Sequence, residues 1–377
     1  MTGPSIDEQA RSYEAAHNRL FLLRIVLTLG SLAVYLYTGA SALLAEGLRA
    51  RFGSAWPVVN AVYTIVTVFG FAALMFPVSL YGEWVLEHRY NLSRQGLGSW
   101  FLDFLKSLIL EIGLATFFFS AVYAFLRWAP GFWWAWATVF YVLFAVILTS
   151  IAPVAIMPLF HKFEPLDNPA LTEAVKAFAE KAGVRVVGVF QWGLEEKTAT
   201  GNAALAGLGR TRRIILGDTM LKDYAQDEII AVLAHEIGHY RNRDLLRLVA
   251  VGFVLAAAGF YVACLFLRAL VARFGFQGPD DIGAFPLFVF SLFMFSLITM
   301  PVSNAYSRRR EFAADEYAVR AVGSASCLVS ALEKLAVQNL ADKNPALWIE
   351  LLLHGHPSIA RRIRRARRVE ATLPPPS

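Results

Sequence analysis

Apolar residues along this chain gather into six long runs, at 20–44, 57–80, 105–126, 133–159, 248–267 and 284–303. Each is close to, or longer than, the ~20 residues a helix needs to cross a bilayer. The pattern predicts a mainly α, polytopic membrane protein of about six transmembrane helices. The first run is too long for a signal peptide and further spans follow it, so it reads as a retained helix. One large polar insert, 160–247, separates the fourth run from the fifth, and there the periodicity changes. Residues 184–192 (VRVVGVFQW) are rich in Val and bounded by Gly183 and Gly193, which predicts a strand. Residues 214–216 predict another. Residues 227–244 predict a helix with Asp227 and Glu228 in its first turn, where negative charge suits the macrodipole. The insert therefore reads as a small α+β subdomain. The tail after Gly323 reads as two helical pieces, with Pro345 and Pro357 near breaks.

The runs sort the remaining segments onto two sides. Residues 1–19, 81–104, 160–247 and 304–377 share one side; the short links 45–56, 127–132 and 268–283 share the other. The first side holds most of the basic residues, including Arg308, Arg309, Arg310 and the cluster Arg361, Arg362, Arg364, Arg365, Arg367 and Arg368. Lys and Arg are retained in the cytoplasm, so both termini and the insert are expected there. The expected layout is a cytoplasmic segment 1–19, four spans within 20–159 with a cytoplasmic loop 81–104, the subdomain 160–247, two spans within 248–303, and a cytoplasmic helical region 304–377. Composition supports this: 57% of residues are hydrophobic and 17% charged, against ~25% charged in ordinary soluble proteins. Disorder is excluded, and a wholly soluble enzyme would have more apolar surface than water tolerates. The net charge of +6 would ordinarily raise nucleic acid as a partner. Basic residues beside apolar runs are what membrane topology requires, so no nucleic-acid partner is expected and the bilayer is. Cys264 and Cys327 can build neither a disulfide framework nor a thiolate metal site.

Chemistry concentrates in the last helix of the insert, which contains His235-Glu236-Ile237-Gly238-His239. Residues four apart share a helical face, so two imidazoles can grip one metal ion, with Glu236 beside its open position as a general base. Zn²⁺ suits this work because it tolerates a change from four to five ligands. The plainer alternative is a helix that merely carries two histidines. A third ligand is needed, and the run after His239 lacks the metzincin pattern. Glu311, just beyond the sixth run, is the candidate. Asp315 lies one helical turn further and could orient a histidine. On spacing alone, a solvated pair between Glu311 and Arg308 or Arg309 serves as well. Glu111 stands inside the third run, where a charge usually faces protein or water. The tail arginines could meet anionic headgroups or simply solvate a helix face.

These residues resemble the type 1 CAAX prenyl endopeptidases, integral-membrane zinc proteases, over most of the chain. The zinc helix is His235–His239. The stretch from Asn304 through Arg308, Glu311 and Asp315 resembles the family's second metal motif. Residues 202–221 resemble the segment before the zinc helix. Residues 81–106 and 153–166 match two further stretches, and His356-Pro357 with Arg362 resembles the final motif. The resemblance implies one Zn²⁺ on His235, His239 and Glu311, with Asp315, Arg362, Asn304 and Arg308 in support. It implies an edge strand at Asn202, Ala203, Ala204, Leu205 and Ala206 to which an extended peptide adds. It also implies that His356 points at the scissile carbonyl and stabilises the oxyanion. A water-filled chamber that Glu111 would line belongs to the same picture. His354, His17, His88 and His161 are expected to be structural or solvated. Two departures stand out: six spans against the seven of eukaryotic members, and His161 where Asp is expected. The function expected is an endopeptidase for membrane-proximal or C-terminally prenylated (CAAX) substrates. The alternatives are a quality-control protease of the HtpX type, and a transporter or lipid-binding protein with a structural metal site.

Overall fold

The computed structural model describes residues 5–207 and 212–374. Positions 208–211, part of the stretch before the zinc helix, lie outside the described residues, as does most of the terminal Pro-Pro-Pro. The chain opens with α1 (Ile6–Tyr37), whose N-cap Ser5 accepts from the Glu8 backbone while the Glu8 carboxylate accepts from Ser5. The polar segment 6–19 is thus the first half of a long helix. Gly39, at φ 72°, ends it and starts α2 (Ala40–Phe52), so the apolar run 20–44 is two helices. A left-handed residue breaks the run because it cannot continue a right-handed helix.

Next comes α3 (Trp56–Ser79), with Pro77 inside it, followed by a π-helical turn at Leu80–Val85 and the short α4 (Leu86–Arg89). Proline removes the amide donor that would have bonded to the Ala73 carbonyl one turn earlier. Segment 81–104 is therefore mostly helix, not loop, since α5 already begins at residue 97. The helices α5 (Leu97–Trp128) and α6 (Trp133–Ile151) complete this half. After α6, Pro153 and Pro158 sit in a π turn and a 3₁₀ turn that lead out of the bundle.

The insert holds β1 (Phe163–Pro165), α7 (Pro169–Lys181), β2 (Val189–Trp192), β3 (Ala203–Ala206), β4 (Arg213–Gly217), α8 (Asp218–Asp223) and α9 (Gln226–Arg241). The strand predicted at 184–192 keeps only its second half. Its first residues are consumed in leaving α7, where Val184 is buried. The sheet order is β1-β2-β4-β3, with β2 and β4 parallel and the outer pairs antiparallel. One face packs on α7 and α9 through Val175, Val189, Ile214, Leu216, Leu233 and Ile237. The predicted helix 227–244 stops earlier, at Arg241. Arg243 is left-handed at φ 54°, and α10 (Asp244–Leu270) starts at once.

The last long element, α11 (Phe285–Val322), runs unbroken from the sixth apolar run into the polar region. Beyond Gly323 the tail forms three pieces, not two: α12 (Ser326–Gln338), α13 (Leu347–Leu353) and α14 (Ile359–Glu370). Both prolines lie in breaks, and two breaks leave three helices.

Among the described residues six helical stretches are long and apolar enough to cross a membrane: Ile6–Tyr37, Trp56–Arg89, Leu97–Trp128, Trp133–Leu159, Asp244–Leu270 and Ile282–Val322. Their outward faces carry Val26, Ile109, Leu143, Val254 and Ile298, all exposed, as lipid-facing positions should be. A core of Tyr63, Tyr123, Trp133, Phe260, Phe285 and Phe288 knits the bundle at one end. There the Tyr63 hydroxyl meets Ser41 at 2.6 Å, and Ser41 donates to the Gly283 carbonyl. At the other end, residues 92–94 pair with 197–199 through Arg94 N to Lys197 O and Ala199 N to Leu92 O, both 2.9 Å. Lys197 also grips Asp103 of α5. These contacts dock the subdomain on the bundle.

Candidate active site

Helix α9 positions the first half of the site. Its start is fixed by Glu228, which accepts from the Ala225 backbone at 2.7 Å and from Ser330 and Lys334 of α12 at 2.6 and 2.7 Å. Two and three turns on, His235 and His239 face the same way, with their Nε2 atoms 3.2 Å apart. Helix α11 crosses at Gly238. A Cβ there would stand 3.0 Å from both the Cα and the carbonyl oxygen of Ala314, so only glycine lets the helices approach this closely. That approach brings Glu311 to both rings, at 3.4 Å from each Nε2.

The opposite ring nitrogens are occupied. His235 Nδ1 lies 2.9 Å from Asp315, and His239 Nδ1 lies 2.9 Å from Asp244. Arg362 of α14 forks onto Asp315 with bonds of 2.9 and 2.7 Å, and Arg310 holds Asp244 at 2.6 Å. Both imidazoles are thereby turned so that Nε2 faces the same point. The sequence reading found Asp315 and Arg362 but missed Asp244 and Arg310. The available signal was Asn242-Arg243-Asp244, a helix stop that folds the next carboxylate back on the last turn.

These residues fit a metal ion. One ligand atom from each of His235, His239 and Glu311 lies within 4.8 Å of the others. Glu311 Oε2 is buried without a well-formed hydrogen bond, although His356 Nδ1 and His235 Nε2 approach it at 3.1 and 3.4 Å, and a cation would satisfy it. Burial opposes charge on His235, yet its bonds to Asp315 and Glu311 outweigh this and push it up to about 9. Burial also raises the Glu236 carboxyl, against the pull of the two histidines, so this side chain is tuned to hold a proton more readily than a free glutamate.

Glu236, His235, Glu311, His356 and Arg362 line a cleft of about 330 Å³ together with Gly201, Asn202 and Ala203. The edge strand β3 thus borders the histidine cluster. His356 is exposed, and its Nδ1 lies 3.1 Å from Glu311. Asn304 and Arg308 do not touch the cluster. Asn304 donates to Leu352 O at 2.8 Å, and Arg308 to Glu350 O and His354 O at 2.9 and 2.6 Å. They hold the segment that leads to His356. The other histidines stand apart: His17 near Glu87 at 3.3 Å, His88 on Trp84 O at 2.7 Å, His354 near Glu14 at 3.6 Å, and His161 against the Trp192 ring. Glu111 lines an apolar cavity of about 500 Å³ between α5 and α6.

A paired-imidazole, single-carboxylate metal cluster beside an acid and an open sheet edge serves the hydrolysis of extended peptides. Set at the end of six apolar helices, it defines a metalloendopeptidase embedded in the membrane. Comparison with known proteins gives its family. Residues 165–370 match the model of peptidase family M48, and residues 6–162 match "CAAX prenyl protease N-terminal, five membrane helices". The chain belongs to peptidase family M48. Within that stretch four helical stretches of this chain are long and apolar enough to cross a membrane; α2, with 13 residues extending about 20 Å, falls short of the ~30 Å hydrocarbon core. The chain is 29% identical over 374 residues to a protein of Bacillus subtilis named uncharacterized metalloprotease YhfN, covering 97% of this chain and 87% of that one. It is 27% identical over 347 residues to CAAX prenyl protease 1 of Saccharomyces cerevisiae, covering 86% and 76%. The crystal structure of S. mikatae Ste24p superposes with a TM-score of 0.86 at 23% identity, covering 96% of this chain and 89% of that one. That last likeness bears on the fold. Family membership decides for a hydrolase over a transporter or lipid-binding protein.

Proposed function

We propose that this chain is a zinc-dependent endopeptidase that cuts extended peptides at the membrane surface, C-terminally prenylated (CAAX) ones among them. The observation that carries the reading is the convergence of His235, His239 and Glu311 within 4.8 Å, next to Glu236 and the edge of β3. His235, His239 and Glu311 would hold one Zn²⁺. When bound there, zinc supplies Lewis acidity toward the scissile carbonyl. Asp315 and Asp244 keep each imidazole in the tautomer that offers Nε2. Glu236 takes a proton from the attacking water on its carboxylate and delivers it to the leaving amine, a task its raised proton affinity suits. A peptide adding to β3 would be held through backbone bonds, which tolerate many sequences. His356, freed from Glu311, would donate to the oxyanion. The relatives named CAAX prenyl protease 1 supply the substrate class. The arginine-rich tail and loops favour a cytoplasmic site, with both termini on that side.

The test is peptide cleavage in detergent, read by mass spectrometry, with a farnesylated CAAX peptide and its unlipidated twin. Wild type is expected to cut and Glu236→Gln to be slower by about 10²–10⁴-fold while still binding one metal per chain. Preference for the farnesylated peptide supports the CAAX class. Indifference to the lipid points to quality control of membrane proteins. Equal cutting by both proteins would remove Glu236 as the base.

A further inference from the structure

Antiparallel ladders point the N–H and C=O of successive residues to alternate sides. In β3 the Asn202 carbonyl accepts from Gly217 at 2.9 Å, and Ala204 sits opposite Ile215 of β4. Gly201, Ala203 and Leu205 therefore turn their backbone groups away from β4, toward the open edge. At Ala203 and Leu205 no further strand covers that edge among the described residues. At Gly201 it is covered. The Asn339 side chain accepts from Gly201 N at 2.9 Å through Oδ1, and its Nδ2 reaches Gly201 O at 3.4 Å. One carboxamide thus does what one residue of an added strand would do.

This stopper is built in. Asn339 is the C-cap of α12, where its backbone N–H bonds to Leu335. The next residue, Leu340, turns away with φ 44°. The neighbouring Gln338 accepts from the Tyr224 hydroxyl at 3.2 Å, and its side chain occupies the space a Cβ on Gly201 would need. Gly201, Asn202, Ala203 and Asn339 all line the cleft that contains His235 and Glu236. The blocked position is therefore the metal-site end of the strand.

We propose that Asn339 closes the free edge of β3 at Gly201 and so limits how far a substrate can extend past the metal site on that side. Asn339 would then be a specificity-determining residue that favours cleavage near one end of a peptide. The inference rests on β3 being the strand to which substrate adds. A longer peptide must either leave the edge at Gly201 or displace the carboxamide and forgo its two bonds.

The experiment uses the full-length metal-loaded enzyme and two nested peptide series, lengthened by two to eight residues on either side of the scissile bond. The readout is the ratio of kcat/KM for the longest and shortest members, which cancels any loss of folded protein. Wild type should discriminate against length on one side only. In Asn339→Ala that ratio should move toward parity by about tenfold, the worth of the bonds the carboxamide provides. Asn339→Asp, which can accept from Gly201 N but not donate to its carbonyl, should fall between the two. A companion peptide N-methylated at the residue facing Ala203 tests the strand itself and should be cut poorly. If methylation matters and the ratio is the same in wild type and both variants, Asn339 has no such role and the β3 reading stands. If methylation is without effect, substrate does not add to β3 and the proposal falls with that reading.

Discussion

His235 and His239 each give one ring nitrogen to a carboxylate and keep the other for the cluster with Glu311. The proton on His235 has a measurable consequence. Its affinity is raised from the ordinary value to about 9, so the metal-free folded protein holds a proton that the unfolded chain releases near ~6.5. That stabilisation is complete below ~6.5 and is lost as pH rises through about 9. A metal must displace the same proton. Apparent metal affinity should therefore climb between pH 7 and 9, by about tenfold per unit for one proton, and level off above. Calorimetric titration in buffers of different ionisation enthalpy would count the released proton; an affinity flat from pH 7 to 9 would contradict the account. Asp244 gives a second residue-scale prediction. Without it His239 loses the partner that fixes its tautomer, so Asp244→Ala should weaken metal binding by about 10–100-fold, read by competition with a chelating dye.

Two helices make the site, and their contact is specific. Gly238 of α9 touches the backbone of α11 at Ala314, one turn from Glu311 in the same helix. Gly238→Val would force the helices apart, at a cost of about 1–3 kcal/mol for overpacking, and carry Glu311 off the histidines. Both a lower melting temperature and weaker metal binding are expected. Unchanged affinity in a destabilised variant would mean that Glu311 does not depend on this crossing. At this scale the sequence was legible wherever period and composition were strong. The apolar runs, the helix around His235 and the pairing of Glu311 with Asp315 are of that kind. It was opaque where a single residue's backbone angle decides. Gly39, left-handed, splits an apolar run whose hydropathy reads as continuous, and Arg243, also left-handed, ends the helix of His235 before Asp244 and so hid that residue's return to His239. The short α13 carries too few residues for periodicity to register. The expectation of Glu311 as third ligand needed family resemblance, since spacing alone could not separate that reading from a surface ion pair.

The whole molecule is an apolar bundle and a polar subdomain sharing α11, with the cluster at their junction. Because the proposed metal ligands come from both α9 and α11, a chelator should lower the melting temperature of the detergent-solubilised protein. Metal at 100 times its dissociation constant contributes about 2.7 kcal/mol. Tryptophan fluorescence during heating would report it, and identical curves with and without chelator would mean that the cluster binds no metal. The unbroken course of α11, Phe285–Val322, has a geometric result. From Ser303, where its apolar run ends, to Glu311 the helix rises about 12 Å. With the proposed metal held at Glu311, a rod anchored in lipid would set the altitude of the cutting point, like a blade mounted at a fixed clearance above a bench. Which bonds came under it would then depend first on how far they stand off the bilayer, and only then on their sequence.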